Sequence, residues 1–129
     1  MKTWMMKSCI VLILAVSIIL MLSGCLTLYS CKLKGFNVSA DGNTITVNYR
    51  FKNFGKTAIN GYTIFALIKC KHKETKANYT FNDRRSFEFV VAPGSDVNSS
   101  YFIDFKEADR GRYTVTDVEI TQTSLTIYK

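Results

Sequence analysis

Thr44 to Phe51, TITVNYRF, alternates without a break: Ile45, Val47, Tyr49 and Phe51 fall on one side of an extended chain, and Thr44, Thr46, Asn48 and Arg50 on the other. Successive side chains of a strand point to opposite faces, whereas a helix would scatter these four apolar residues around its circumference. The segment therefore reads as a strand with one buried and one wetted face, and it needs a second apolar layer to cover it. Asp41-Gly42-Asn43, whose residue types tolerate positive φ, precedes it and predicts a hairpin with Lys32 to Ser39, in which Leu33 and Phe36 meet the core only loosely.

The remaining chain repeats this logic. Asn53-Phe54-Gly55 ends the strand and Asn60-Gly61 opens the next, Tyr62 to Lys71 (YTIFALIKCK), which is apolar on both faces at its middle, as a central strand should be. Lys71 to Arg85 reads as a hydrophilic connection with a short edge strand at Ala77 to Phe81. Ser86 to Val91 and Val97 to Phe105 alternate on either side of the turn Pro93-Gly94-Ser95-Asp96 and predict a second hairpin. From Tyr113 to Tyr128 the apolar phase shifts twice: Tyr113 and Val115 are odd, Val118 and Ile120 even, Leu125 and Ile127 odd again. A bulge near Thr116-Asp117 and a bend near Gln122 to Ser124 would reconcile them. Six to eight short strands without a convincing amphipathic helix argue for an all-β fold, a small antiparallel immunoglobulin-like β-sandwich over residues 32–129.

The front of the chain differs in kind, for no charged residue occurs between Lys7 and Lys32. Lys2 and Lys7, then the fourteen-residue apolar run Cys9 to Leu22, then the small residues Ser23 and Gly24, have the layout of a secretory signal. Leu22-Ser23-Gly24-Cys25 resembles the bacterial lipobox. That resemblance implies a diacylglyceryl group on the Cys25 sulfur, cleavage before Cys25, and a division into a signal peptide (1–24), a lipidated tether (25–31) and the sandwich. The competing readings are a retained membrane helix over Cys9 to Leu28, since roughly 20 apolar residues span a bilayer, and a plain cleaved signal without lipid. Leu26 stands where an aspartate would resemble an inner-membrane retention signal, so the expected address is the cell envelope, extracytoplasmic, with the outer membrane favoured if the source has one.

Cleavage would leave 105 residues, enough for one core, with 15 basic residues against 10 acidic ones. The excess gathers in residues 69–85, which hold Lys69, Lys71, Lys73, Lys76, Arg84 and Arg85 against Glu74 and Asp83. Such a run suits a contact with lipid headgroups, anionic polymers or an acidic protein; the plainer reading is a solvated hairpin. Nucleic acid is not expected as a partner of a chain that leaves the cytoplasm.

Cys9 would leave with the signal and Cys25 would carry lipid, so two thiols remain, Cys31 and Cys70, in a compartment that permits disulfides. A bridge would close a loop of about 40 residues and stabilise the fold by about 3 to 4 kcal/mol on the chain-entropy model. Buried free thiols are the alternative, and both readings stand.

Catalysis has little to work with. His72 is the sole histidine, set among lysines, with no Cys, His or acid spacing for a metal, and no nucleophile is indicated beside a base. We expect no enzyme, no cofactor and no metal. The aromatics Phe54, Phe65 and Phe102 fall out of phase with their inward neighbours or in a turn. Together they would offer an exposed partner surface, with Arg50 and Lys52 at its rim, and the plainer reading is a sheet covered by loops or by the N-terminal segment.

Asn48 to Lys71, a strand ending in Asn-x-Gly followed by an apolar strand, together with the later Ala92-Pro93-Gly94 and its aromatic strand, resembles the FxLYD and related immunoglobulin-like domains of bacterial lipoproteins. Phe65 and Leu67 match the eponymous motif, while Ile68 and Lys69 stand where it has Tyr and Asp. The resemblance implies a non-catalytic extracytoplasmic module that binds or supports another envelope protein, and it carries over no catalytic residue. A surface adhesin or polyanion binder using the basic hairpin is the alternative.

Overall fold

A computed structural model of the protein describes residues 28–125. The expected signal peptide, with Leu22, Ser23 and Gly24, and the expected lipid site Cys25 lie outside the described residues. Six strands, β1 (Tyr29–Val38), β2 (Thr44–Asn53), β3 (Tyr62–His72), β4 (Asn78–Phe87), β5 (Asp96–Asp104) and β6 (Tyr113–Leu125), are joined by turns and one 3-10 turn at Glu107–Asp109. They pair antiparallel in two sheets, ordered β1-β2-β5 and β4-β3-β6. This is the all-β sandwich the alternation demands, and its strand order corresponds to A-B-E facing C′-C-F of an immunoglobulin domain.

The two central strands carry the core. From β2, Ile45, Val47, Tyr49 and Phe51 are fully buried; from β3, Tyr62, Ile64, Ala66, Ile68 and Cys70 face them. Tyr101, Ile103 and Phe105 join from β5 and its end, and Val118 joins from β6. Burying two phenols here requires partners for their hydroxyls. Tyr49 and Tyr62 supply each other's, at 2.6 Å, while the rings of Phe51 and Tyr62 stack at a 4.0 Å centroid spacing. Burial pushes the Tyr62 hydroxyl far above its ordinary pKa, and its hydrogen bond with Tyr49 adds to the rise.

Bulges rescue sequences whose apolar phase shifts. In β1 the register steps from Leu33 opposite Tyr49 to Gly35 opposite Asn48, leaving Lys34 as the extra residue. Odd-numbered Tyr29, Cys31 and Leu33 and even-numbered Phe36 then all pack on the core. In β6 the extra residues are Thr116 and Thr121. Each turns its hydroxyl onto a β3 carbonyl, Thr116 onto Lys69 at 3.1 Å and Thr121 onto Phe65 at 3.3 Å. The bulge expected near Thr116-Asp117 is therefore present. In place of the bend near Gln122 to Ser124 there is a second bulge, and β6 runs on unbroken to Leu125.

Three expectations are corrected. The tether drawn over 25–31 is too long, because Tyr29, Ser30 and Cys31 already pair with Asn53, Lys52 and Phe51. The hydrophilic connection over 71–85 is mostly strand: β4 spans ten residues beside β3, with only a short turn before it. The second hairpin does not form, since β4 pairs with β3 while β5 crosses to the opposite sheet and pairs with β2.

Candidate functional site

The chain enters the described fold at Leu28, beside the 54–61 and 88–95 loops, and Leu125 pairs with Tyr62 at this same end. We call this the near end. The far end holds the β1–β2 turn, the β3–β4 turn and the loop from β5 to β6.

At the far end His72 organises the β3–β4 turn. Its Nδ1 accepts the backbone N–H groups of Glu74 at 3.2 Å and Thr75 at 3.3 Å, and its ring stands edge-on to Tyr113 at 5.3 Å. Tyr113 in turn stacks on Tyr79 at 4.6 Å. The sole histidine is thus a turn cap as well as a packing ring. The three far turns are stitched together: Lys73 N–H donates to Arg112 O at 2.9 Å, and Gly111 N–H to Asn43 Oδ1 at 2.8 Å. Gly111 and Gly42 both sit at positive φ, 76° and 77°, where a side chain would be strained.

This stitching changes the meaning of the basic run. Lys71, Lys73 and Lys76 do reach one end of the molecule, but the same contacts bring Asp41, Glu74, Glu107 and Asp109 to that end. The other three basic residues are elsewhere. Lys69 Nζ lies 3.1 Å from Glu119 Oε2, and the Arg84 guanidinium lies over the Phe65 ring at 5.8 Å, both on the outer face of the β3 sheet. Arg85 points inward, donates to Phe102 O at 2.7 Å and covers Tyr101 at 5.3 Å. The six do not form one contact patch.

Arg85 belongs instead to a seam where edge strands β4 and β5 of the two sheets meet. Asp83, opposite Ala66, turns into this seam; its Oδ2 is buried without a protein partner, as is the Tyr101 hydroxyl. Burial raises the Asp83 carboxyl above its ordinary pKa, and the Arg85 charge only partly offsets that rise. A cleft of about 180 Å³ opens beside it, lined in part by Phe81, Asp83, Phe105 and Asp109.

The near end is organised by a buried amide. Asn53 is 1% exposed; its Nδ2 donates to Thr57 O at 2.9 Å and Val91 O at 3.1 Å, and its Oδ1 accepts Gly55 N–H at 2.9 Å. Its backbone C=O also accepts Gly94 N–H at 2.9 Å. The Asn-x-Gly signal in the sequence is therefore a clamp that joins two loops. Phe54, one residue on, is left 56% exposed.

The expected aromatic surface is not one surface. Phe54 lies on the near-end loop, Phe65 on the outer face of the β3 sheet, and Phe102 on the outer face of the β2 sheet. Arg50 and Lys52 sit beside Asp96, which pairs with both.

Cys31 and Cys70 are free thiols. The bridge does not form because they occupy opposite ends of the sandwich. Cys31 bonds Thr123, which is paired with Ile64, whereas Cys70 lies six residues further along β3. At about 3.3 Å per residue that is about 20 Å, well beyond a disulfide's reach of about 7 Å between Cα atoms. Burial pushes the Cys70 thiol up to about 11 and raises that of Cys31 as well. Among the described residues no group of three or more His, Cys, Asp or Glu side chains is placed to hold a metal ion. No family model matches this chain, and no curated protein is similar enough to count as a relative.

Proposed function

We propose that this chain is a bacterial lipoprotein, anchored through Cys25, whose extracytoplasmic sandwich acts as a non-catalytic interaction or structural module for another envelope protein. The observation that carries the reading is Leu22-Ser23-Gly24-Cys25 behind a charge-free apolar run, with the first strand beginning at Tyr29. A sandwich so close to the proposed lipid site is held against the membrane, and its far end is what it offers to the envelope. One acyl chain holds a protein only marginally, at about 0.8 kcal/mol per buried methylene, so two or three chains are needed for a lasting anchor.

Support for binding rather than chemistry comes from how the polar side chains are used. Asn53 and His72 tie turns, and Lys69 and Arg50 pair with carboxylates. The reading as a polyanion binder through residues 69–85 is weaker, because the far-end lysines share their surroundings with carboxylates and Lys69, Arg84 and Arg85 point elsewhere.

Metabolic labelling with a fatty acid tests the anchor. Label is expected on the wild-type protein and absent from Cys25→Ser; label that persists in the variant would overturn the reading.

A further inference from the structure

We infer that the near end of the sandwich is a membrane-contact surface, on which Leu28, Phe54, Phe89 and Val90 enter the bilayer interface while Lys52 and Lys56 meet anionic headgroups. The inference rests on the anchored reading and adds an orientation to it: the domain stands end-on on the lipid.

Among the described residues, four of the seven exposed large hydrophobic side chains are at this end: Leu28 at 44%, Phe54 at 56%, Phe89 at 37% and Val90 at 66%. The other three, Val38, Tyr79 and Phe102, are spread over the far end and one sheet face. Apolar side chains gathered at one place on a soluble domain mark a surface that meets protein or lipid. They are also held there. The Asn53 clamp fixes the 54–57 segment to Val91, next to Phe89 and Val90, and Phe54 N–H donates to Leu28 O at 2.7 Å. Glycine at position 55 suits the clamp, since a Cβ there would lie a tight 3.3 Å from Asn53 Oδ1.

The position of the proposed anchor chooses lipid over protein as the occupant. Leu28 is three residues beyond Cys25, a span of at most about 11 Å for an extended chain. Acyl chains on Cys25 would therefore bring this end, and no other, to the headgroups. Lys52 lies over the Phe54 ring with Nζ 5.0 Å from its centroid and 4.0 Å from Asp96, a carboxylate that Arg50 also neutralises, and Lys56 is exposed on the near-end loop. Cations beside apolar side chains suit an interface whose outer layer is anionic and whose next layer is hydrocarbon.

The chain's single tryptophan, Trp4, lies in the proposed signal peptide, so new tryptophans make clean reporters. In a Trp4→Phe background, full-length protein carrying Phe54→Trp, Val90→Trp or Phe102→Trp is purified from membranes and reconstituted. The vesicles contain phosphatidylcholine and phosphatidylglycerol brominated on the upper acyl carbons. Side chains seated about 5 to 10 Å into the headgroup boundary should lose about half their emission. We expect that loss from Phe54→Trp and Val90→Trp and almost none from Phe102→Trp. If all three keep their emission while Cys25 still takes up fatty acid, the contact surface is refuted and the lipoprotein reading survives. Equal quenching of all three refutes the end-on orientation. Loss of fatty-acid uptake alone refutes the anchor.

Discussion

At the near end one buried amide, Asn53, ties two loops with three side-chain hydrogen bonds and leaves Phe54 and Val90 in the open. At the far end three turns are held by bonds spread over many groups, backbone and side chain alike, and their side chains carry charges of both signs. The contrast teaches how each surface tolerates change. Where one buried side chain satisfies several backbone groups, its loss strands all of them together; where the bonds are distributed, each loss is small.

Asn53→Ala should break that contrast most strongly. It removes one donor from Thr57 O and one from Val91 O, which keeps Ile59 N–H, and takes away the acceptor of Gly55 N–H; a destabilisation of about 3 kcal/mol is expected from three lost hydrogen bonds at about 1 kcal/mol each. Urea unfolding would show it as a lower midpoint at unchanged slope. A loss below about 1 kcal/mol would mean that the backbone alone holds the near-end loops. His72→Ala probes the far end and should cost about 1 kcal/mol, because its two turn bonds are long and partly exposed and the Tyr113 contact supplies the rest. A cost equal to that of Asn53→Ala would make the far end as dependent on one side chain as the near end.

The seam between the ends carries the smallest expected effect, with a sign set by pH. The Asp83 carboxyl titrates above its ordinary 3.8 in the folded chain, because burial disfavours its charged form. Its contribution is therefore favourable below that ordinary value and is lost as pH rises through the folded value. Asp83→Asn should accordingly gain stability relative to wild type between about pH 4 and pH 7, by a fraction of 1 kcal/mol once solvent screening is allowed for. Thermal unfolding at both pH values would read the gain, and a constant difference across the range would exclude Asp83 as its source.

Strand identity was legible wherever one face of a strand is apolar throughout. Thr44 to Phe51 announced β2 and its orientation, and the two parity shifts after Tyr113 announced two irregularities, one placed correctly and one a residue or more off. β4 was legible only at its ends, as the short edge strand at Ala77 to Phe81 and the start of Ser86 to Val91, because its middle turns Asp83 and Arg85 inward and a strand with charges turned inward has no apolar period to detect. The candidate patch failed for a different reason. Lys71, Lys73 and Lys76 lie close in sequence, but besides Glu74 the carboxylates that join them come from residues 41, 107 and 109, through contacts that no local pattern encodes, and Lys69 turns away to Glu119. Asn53 was visible as a turn signal, whereas its role as a clamp depends on Val91, 38 residues away.

The displaced threonines of β6 bear on what happens when many copies share one surface. Molecules confined to two dimensions collide far more often than the same number in solution, and a straight open strand would then serve as a template for the strand of a neighbour. Only four regular residues separate Thr116 from Thr121, and β1 is interrupted at Lys34. A neighbouring chain that tried to zip along either of these two strands would lose its match within a few residues, which leaves β4 and β5, whose pairings run without a bulge, as the edges where crowded copies could meet.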